Sequence, residues 1–162
     1  MRDEQPDDCF LLEAHEALVA VLQADVGLSK FIKRWFTFGP GLIERVDVLP
    51  KDCPQIQIWP AETAIDMPAY ALEHFEYGVN IGIATDWQDV GPCEGLLSYV
   101  LEVLRVARRD RLGLTEWGLS EAEPLSWKFT PYQSKEDPRI RWRCTVSAVL
   151  KWFRQAPAHE IL

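Results

Sequence analysis

The sequence predicts an α+β fold: a mainly antiparallel sheet of about four to five strands packed against helices on one face. Apolar residues recur at helical spacing near the N-terminus and again around residues 94–109, but alternate with polar ones over 72–85 and 139–153. The resulting order of two helices, a hairpin, a strand, a helix and two strands lacks the βαβα rhythm of a parallel sheet. At 162 residues, 48% hydrophobic and 11% aromatic, the chain is expected to form one domain over 1–162. An acidic N-terminal tail to about residue 7 and a short flexible C-terminal tail over about 155–162 complete that expectation.

Asp7 and Asp8 offer an N-cap, and Phe10, Ala14, Ala17, Leu18, Val21 and Leu22 then recur as one face of a helix over about 8–24. Gly27 interrupts it. Ser29 is expected to cap a short second helix in which Leu28, Phe31, Ile32 and Trp35 share a face while Lys30, Lys33 and Arg34 point outward. After the turn signal Gly39-Pro40-Gly41, Leu42 to Val48 reads as a strand, paired as a hairpin with Ile56 and Ile58. Residues 60–71, with Pro60, Pro68 and several small side chains, read as an irregular loop.

From Leu72 to Thr85, Phe75, Tyr77, Val79, Ile81 and Ile83 alternate with His74, Glu76, Gly78, Asn80 and Gly82, which is a strand with one buried face. Its glycines leave room for another backbone or subunit, or mark a bulge. The helix that follows starts at Asp89 or Gly91, with Pro92 in its first turn and a stripe of Leu96, Leu97, Val100, Leu101, Leu104 and Ala107. Arg105, Arg108, Arg109 and Arg111 suit its negative end. Residues 114–124 read as a second loop, and Leu125 to Tyr132 as a strand with Leu125, Trp127 and Phe129 facing one way. In the last strand Ile140, Trp142, Cys144, Val146, Ala148, Leu150 and Trp152 face inward, and Arg139, Arg141 and Arg143 form an outward row. At roughly 45 Å it would be long for a strand.

Composition excludes several function classes. No run of about 18 apolar residues exists to cross a membrane, and the polar, acidic first residues do not resemble a secretory signal. A net charge of −8 opposes general adhesion to nucleic acid, because phosphate binding needs clustered cations. The four cysteines, Cys9, Cys53, Cys93 and Cys144, are scattered without a C-x-x-C pair and read as free thiols. Only three histidines are present, and none has a ligand partner close in sequence, so no metal is expected.

Catalytic patterns are equally absent, for no G-x-S-x-G elbow, P-loop or cysteine beside a histidine occurs. The chain is therefore not expected to be an enzyme or to hold a cofactor. What remains is a set of candidate interface residues: the row Arg139, Arg141 and Arg143, the polar-face pair His74 and Glu76, and Trp59 and Trp87 at the ends of elements. The arginine row would serve as a solvated face, a contact to an acidic subunit or a phosphate contact.

The helix around Leu11 to Leu22, the hairpin ending Ile56-Gln57-Ile58-Trp59-Pro60 and the strand Phe75 to Thr85 together resemble the tail-terminator (tail-completion) and minor tail proteins of long-tailed bacteriophages and gene-transfer particles. The helix Glu94 to Arg109 and the closing strand Arg139 to Phe153 extend the likeness over nearly the whole chain, in pattern and element order. The resemblance implies a homo-oligomeric ring, usually a hexamer, that caps the finished tail tube and stops its polymerisation. It further implies the tail tube protein and a head-tail connector or stopper protein as partners, DNA passing through without specific binding, and a place in the tail or neck of a virion assembled in the host cytoplasm. It carries no catalytic residues. A neck or baseplate adaptor is the neighbouring reading, and a small enzyme or ligand-binding domain with a site built from scattered residues is the reading from another class.

Overall fold

A computed structural model describes residues 10–38, 48–69, 72–109, 119–133, 135 and 138–155. Helix α1 spans Phe10–Ala24, α2 Val26–Phe31 and α3 Val90–Arg109. Strands are β1 Arg34–Thr37, β2 Gln55–Ala69, β3 Leu72–Ala84, β4 Leu119–Tyr132 and β5 Arg141–Gln155, with a single 3-10 turn at Pro50–Asp52 before β2. They form one five-stranded sheet in the order β1-β2-β3-β5-β4, antiparallel except for the parallel β1–β2 pair.

The alternation in the sequence becomes rows of apolar side chains across the sheet. One row runs Trp35, Ile56, Ile83, Cys144 and Phe129, and the next carries Ile58, Ile81, Val146 and Trp127. Ile56, Ile58, Val79, Ile81, Ile83, Cys144 and Val146 are fully buried beneath the helices. Helix α3 meets them with Cys93, Leu97, Val100 and Leu104, and α1 with Ala14, Leu18 and Leu22. Each such aliphatic side chain contributes about 1.5–3 kcal/mol, so this layer is the main source of stability.

Several expectations are corrected. Asp25, not Ser29, caps α2: its backbone is extended and its carboxylate accepts the Leu28 N–H at 2.9 Å, while Ser29 lies inside the helix and donates to the Gln23 carbonyl. Leu28 and Ile32 are buried, but Phe31 is exposed and Trp35 belongs to β1, a strand the helical reading had absorbed. Over Gln55–Ile58 both sides of β2 are taken, by β1 and β3, so the expected hairpin with 42–48 does not form there; residues 42–47 lie outside the described residues.

The expected loop over 60–71 is largely strand, for β2 continues to Ala69 and stays paired with β3 through two register shifts. Likewise β4 begins at Leu119, inside the expected loop 114–124. Trp127, expected inward, sits in an apolar row but is 55% exposed on β4, an edge strand of the sheet. Gly82 leaves no room for a second backbone: a Cβ there would stand 2.9 Å from Cζ3 of Trp59 on the neighbouring strand.

Candidate functional site

The arginine row is not uniform. Arg139 is exposed, Arg143 half-buried, and Arg141 only 5% exposed. The Arg141 guanidinium folds onto its own molecule, donating from Nε to the Asp86 carbonyl at 3.0 Å and from Nη1 to the Arg139 carbonyl at 3.2 Å. Around it, the Thr85 N–H and hydroxyl both donate to the Trp142 carbonyl, the Trp142 indole donates to the Gln88 carbonyl at 3.1 Å, and the Tyr132 hydroxyl donates to the Thr85 carbonyl. The expected outward Arg141 is thus a clamp between the β3–α3 loop and the start of β5.

This clamp brings two separate stretches of chain to one end of the sheet. Trp87 follows the clamped Asp86, and Ile140 follows Arg139, whose carbonyl is held by the same guanidinium. Trp87 is 43% exposed and Ile140, expected inward, is 52% exposed. Val90, the first residue of α3, is also exposed. Asp86, Gln88, Asp89 and Arg139 are exposed around them, so an apolar centre carries a polar, charged rim.

A second apolar surface lies on the helix layer. Val21 and Ala24 of α1, Asp25, and Tyr99, Glu102, Val103 and Val106 of α3 line an open cleft of about 500 Å³. Tyr99 packs tightly over Gly27, where a Cβ would lie 2.1 Å from its hydroxyl, and hydrogen-bonds to Asp25, which raises the phenol pKa. Glu102 pairs with Arg105 at 2.6 Å. The cleft was missed by sequence reasoning, although Tyr99, Val103 and Val106 form a second helical stripe beside the leucine stripe of α3.

The other expected interface residues fall elsewhere. Trp59 is half-buried over Gly82, beside a small void that also borders Val48, Gln55, Gln57, Arg143 and Thr145. Glu76 stands opposite Lys151 in the β3–β5 register, on the polar face where Ser147 donates to Asn80 at 2.9 Å. His74 lies opposite Asp66 and Phe153; its side chain is outside the described residues.

The described thiols are poorly suited to nucleophilic work. Burial pushes Cys53 and Cys144 up to about 11 and Cys93 up to about 12, so each is protonated near neutral pH. Among the described residues, no group of three or more His, Cys, Asp or Glu side chains could hold a metal ion. No helix among them is long and apolar enough to cross a membrane.

No family model matches the sequence, and no curated protein matches it. The fold does have a match. A chain from the virion of a native gene transfer agent particle superimposes with a TM-score of 0.56 at 14% identity, over 85% of this chain and 93% of that one. At that identity the likeness is one of fold, and it extends across nearly all of both chains.

Proposed function

We propose that the chain is a structural virion protein, and specifically a tail terminator: a ring at the head-proximal end of a phage-type tail tube that stops tube polymerisation and joins the tail to head-completion proteins. The observation that carries this reading is the fold shared, end to end, with a chain of a gene transfer agent virion. Two features of the molecule support it. Four strands of 13 to 15 residues give a sheet longer than an ordinary domain needs. Two apolar surfaces at different places suit a subunit that contacts neighbours on more than one side.

A ring is built when one patch of each subunit meets a different patch on the next and the rotation closes. The head-proximal face of such a ring would meet a connector or stopper protein, and the opposite face the tube protein. Its net charge of −8 lets DNA pass without the counterion release that drives binding to phosphates.

Deleting the gene in a particle-producing host and imaging the lysate by electron microscopy tests the reading. The expected result is filled heads without tails, together with free tubes of uncontrolled length. Normally joined particles would refute a virion role, and plates lacking tubes would assign the chain to the baseplate instead.

A further inference from the structure

We infer that the Trp87–Ile140 end of one subunit seats in the α1–α3 cleft of a second copy, making the head-to-tail contact of the ring. This rests on the ring reading above and names the surfaces that would build it. The end patch is a group of exposed apolar side chains, Trp87, Ile140 and Val90, on the two stretches of chain that the Arg141 clamp joins. The cleft is concave, lined by Val21, Ala24, Tyr99, Val103 and Val106, with Val106 56% exposed. Large anchors fixed on a rigid frame and an apolar recess to receive them are the usual centre of a binding surface.

Charge points the same way. The cleft carries Asp25, and exposed Arg139 flanks Ile140 on the end patch. The two patches cannot meet within one molecule. Val90 and Val103 lie at different heights on the same straight element, 13 residues or about 20 Å apart along α3. A patch that fits only a different patch on another copy gives heterologous association, which a closed ring requires.

The test uses Ile140→Asp, which spoils the end patch, and Val106→Glu, which spoils the cleft, with solution mass measured by light scattering across a concentration series. Both positions face solvent, so unchanged thermal midpoints are expected; Trp87→Ser and Ala24→Glu repeat the test should either variant unfold. Wild type is expected to grow with concentration beyond a dimer, and each variant alone to need at least tenfold more protein to associate. Mixed one to one, the two variants retain one good patch each and are expected to stop at a dimer. Variants that assemble as wild type does, or a mixture that forms no dimer, would overturn this contact while leaving the ring reading intact. A wild-type chain that stays monomeric at every concentration would likewise overturn this contact, while the ring reading stands or falls by the deletion test above.

Discussion

His15 of α1 and Tyr77 of β3 meet through a 2.7 Å hydrogen bond between the imidazole Nδ1 and the phenol oxygen, inside the apolar layer between helices and sheet. The rings are set edge-on, and among the described residues the other imidazole nitrogen has no hydrogen-bond partner. Burial lowers the His15 pKa from its ordinary 6.5, since a charged imidazole would have to enter the core. The unfolded chain therefore binds this proton more readily than the folded one. The contribution of His15 is complete above about pH 6.5 and is lost progressively as the pH falls from there toward the lower pKa of the folded state. Urea midpoints measured from pH 7.5 down to 5.5 should fall in the wild type and fall less in the His15→Phe/Tyr77→Phe double variant, whose apolar pair has nothing to protonate. Tyr77→Phe alone strands the histidine and should cost about 1–3 kcal/mol at neutral pH.

Arg141 gives the sharpest contrast within the arginine row. Its two hydrogen bonds to backbone carbonyls tie the β3–α3 loop to β5, and hydrogen bonds from a charged donor contribute about 1.5–3 kcal/mol. Arg141→Ala should lower stability by that order, whereas Arg139→Ala, at an exposed position, should stay within about 0.5 kcal/mol. Chemical denaturation of the two variants in parallel checks this. Equal effects would mean that the clamp does not hold the loop.

The contrast also marks where the sequence stopped being legible. Alternation located β3 and β5 closely because both faces of those strands differ in chemistry, and the leucine stripe located α3 for the same reason. Alternation says nothing about where a strand begins to be covered. Arg141 occupies an outward position by period, yet the β3–α3 loop lies across it, and Ile140, inward by period, stands before the strand starts and is exposed. The strand β2 over 60–69 was hidden by Pro60 and Pro68, which lack donors. Both are tolerated because β1 pairs only with Gln55–Ile58, leaving that side of the later residues without a described strand to bond. Tertiary pairing with β3 then overrides weak local preference. Of the candidate site, Trp87 was readable as an element-end residue and Arg139 as part of the outward arginine row, but the cleft was not, since it exists only once α1 and α3 are side by side.

The thiols offer a check on packing that needs no mutation. Cys53, Cys93 and Cys144 are buried, and their raised pKa values leave almost no thiolate at pH 8. In the native protein these three should react with Ellman's reagent only as fast as the chain opens, and all four cysteines of the sequence should react at once in denaturant. Rapid native reaction of more than one thiol would show that the helix layer does not seal the sheet.

The α2 cap is Asp25 and not Ser29, the residue expected from the sequence. Asp25 receives the Leu28 N–H, and helix α2 has only six residues over which to offset a lost cap. Asp25→Ala should therefore cost about 1 kcal/mol, while Ser29→Ala should cost less because a serine within a helix caps nothing. The same Asp25 hydrogen-bonds to Tyr99, so its loss should also bring the phenol pKa back down, which ultraviolet titration of tyrosinate would register. A Ser29 effect as large as that of Asp25 would contradict the cap geometry.

Trp59 and Gly82 test whether the polar face of the sheet is closed there by the sheet's own side chains. A Cβ at residue 82 would lie 2.9 Å from Cζ3 and 3.2 Å from Cη2 of the indole, closer than packed carbons tolerate. Gly82→Ala should therefore displace the ring and destabilise by about 1–3 kcal/mol, although alanine suits a strand better than glycine does. In a Trp59→Leu background the distal ring is gone, and the same change should cost at least about 0.5 kcal/mol less, a coupling that a double-mutant cycle in urea can resolve. If Gly82→Ala costs the same in both backgrounds, something other than the indole occupies that space, and a close approach by another chain, which the sequence alone had allowed, becomes the better account.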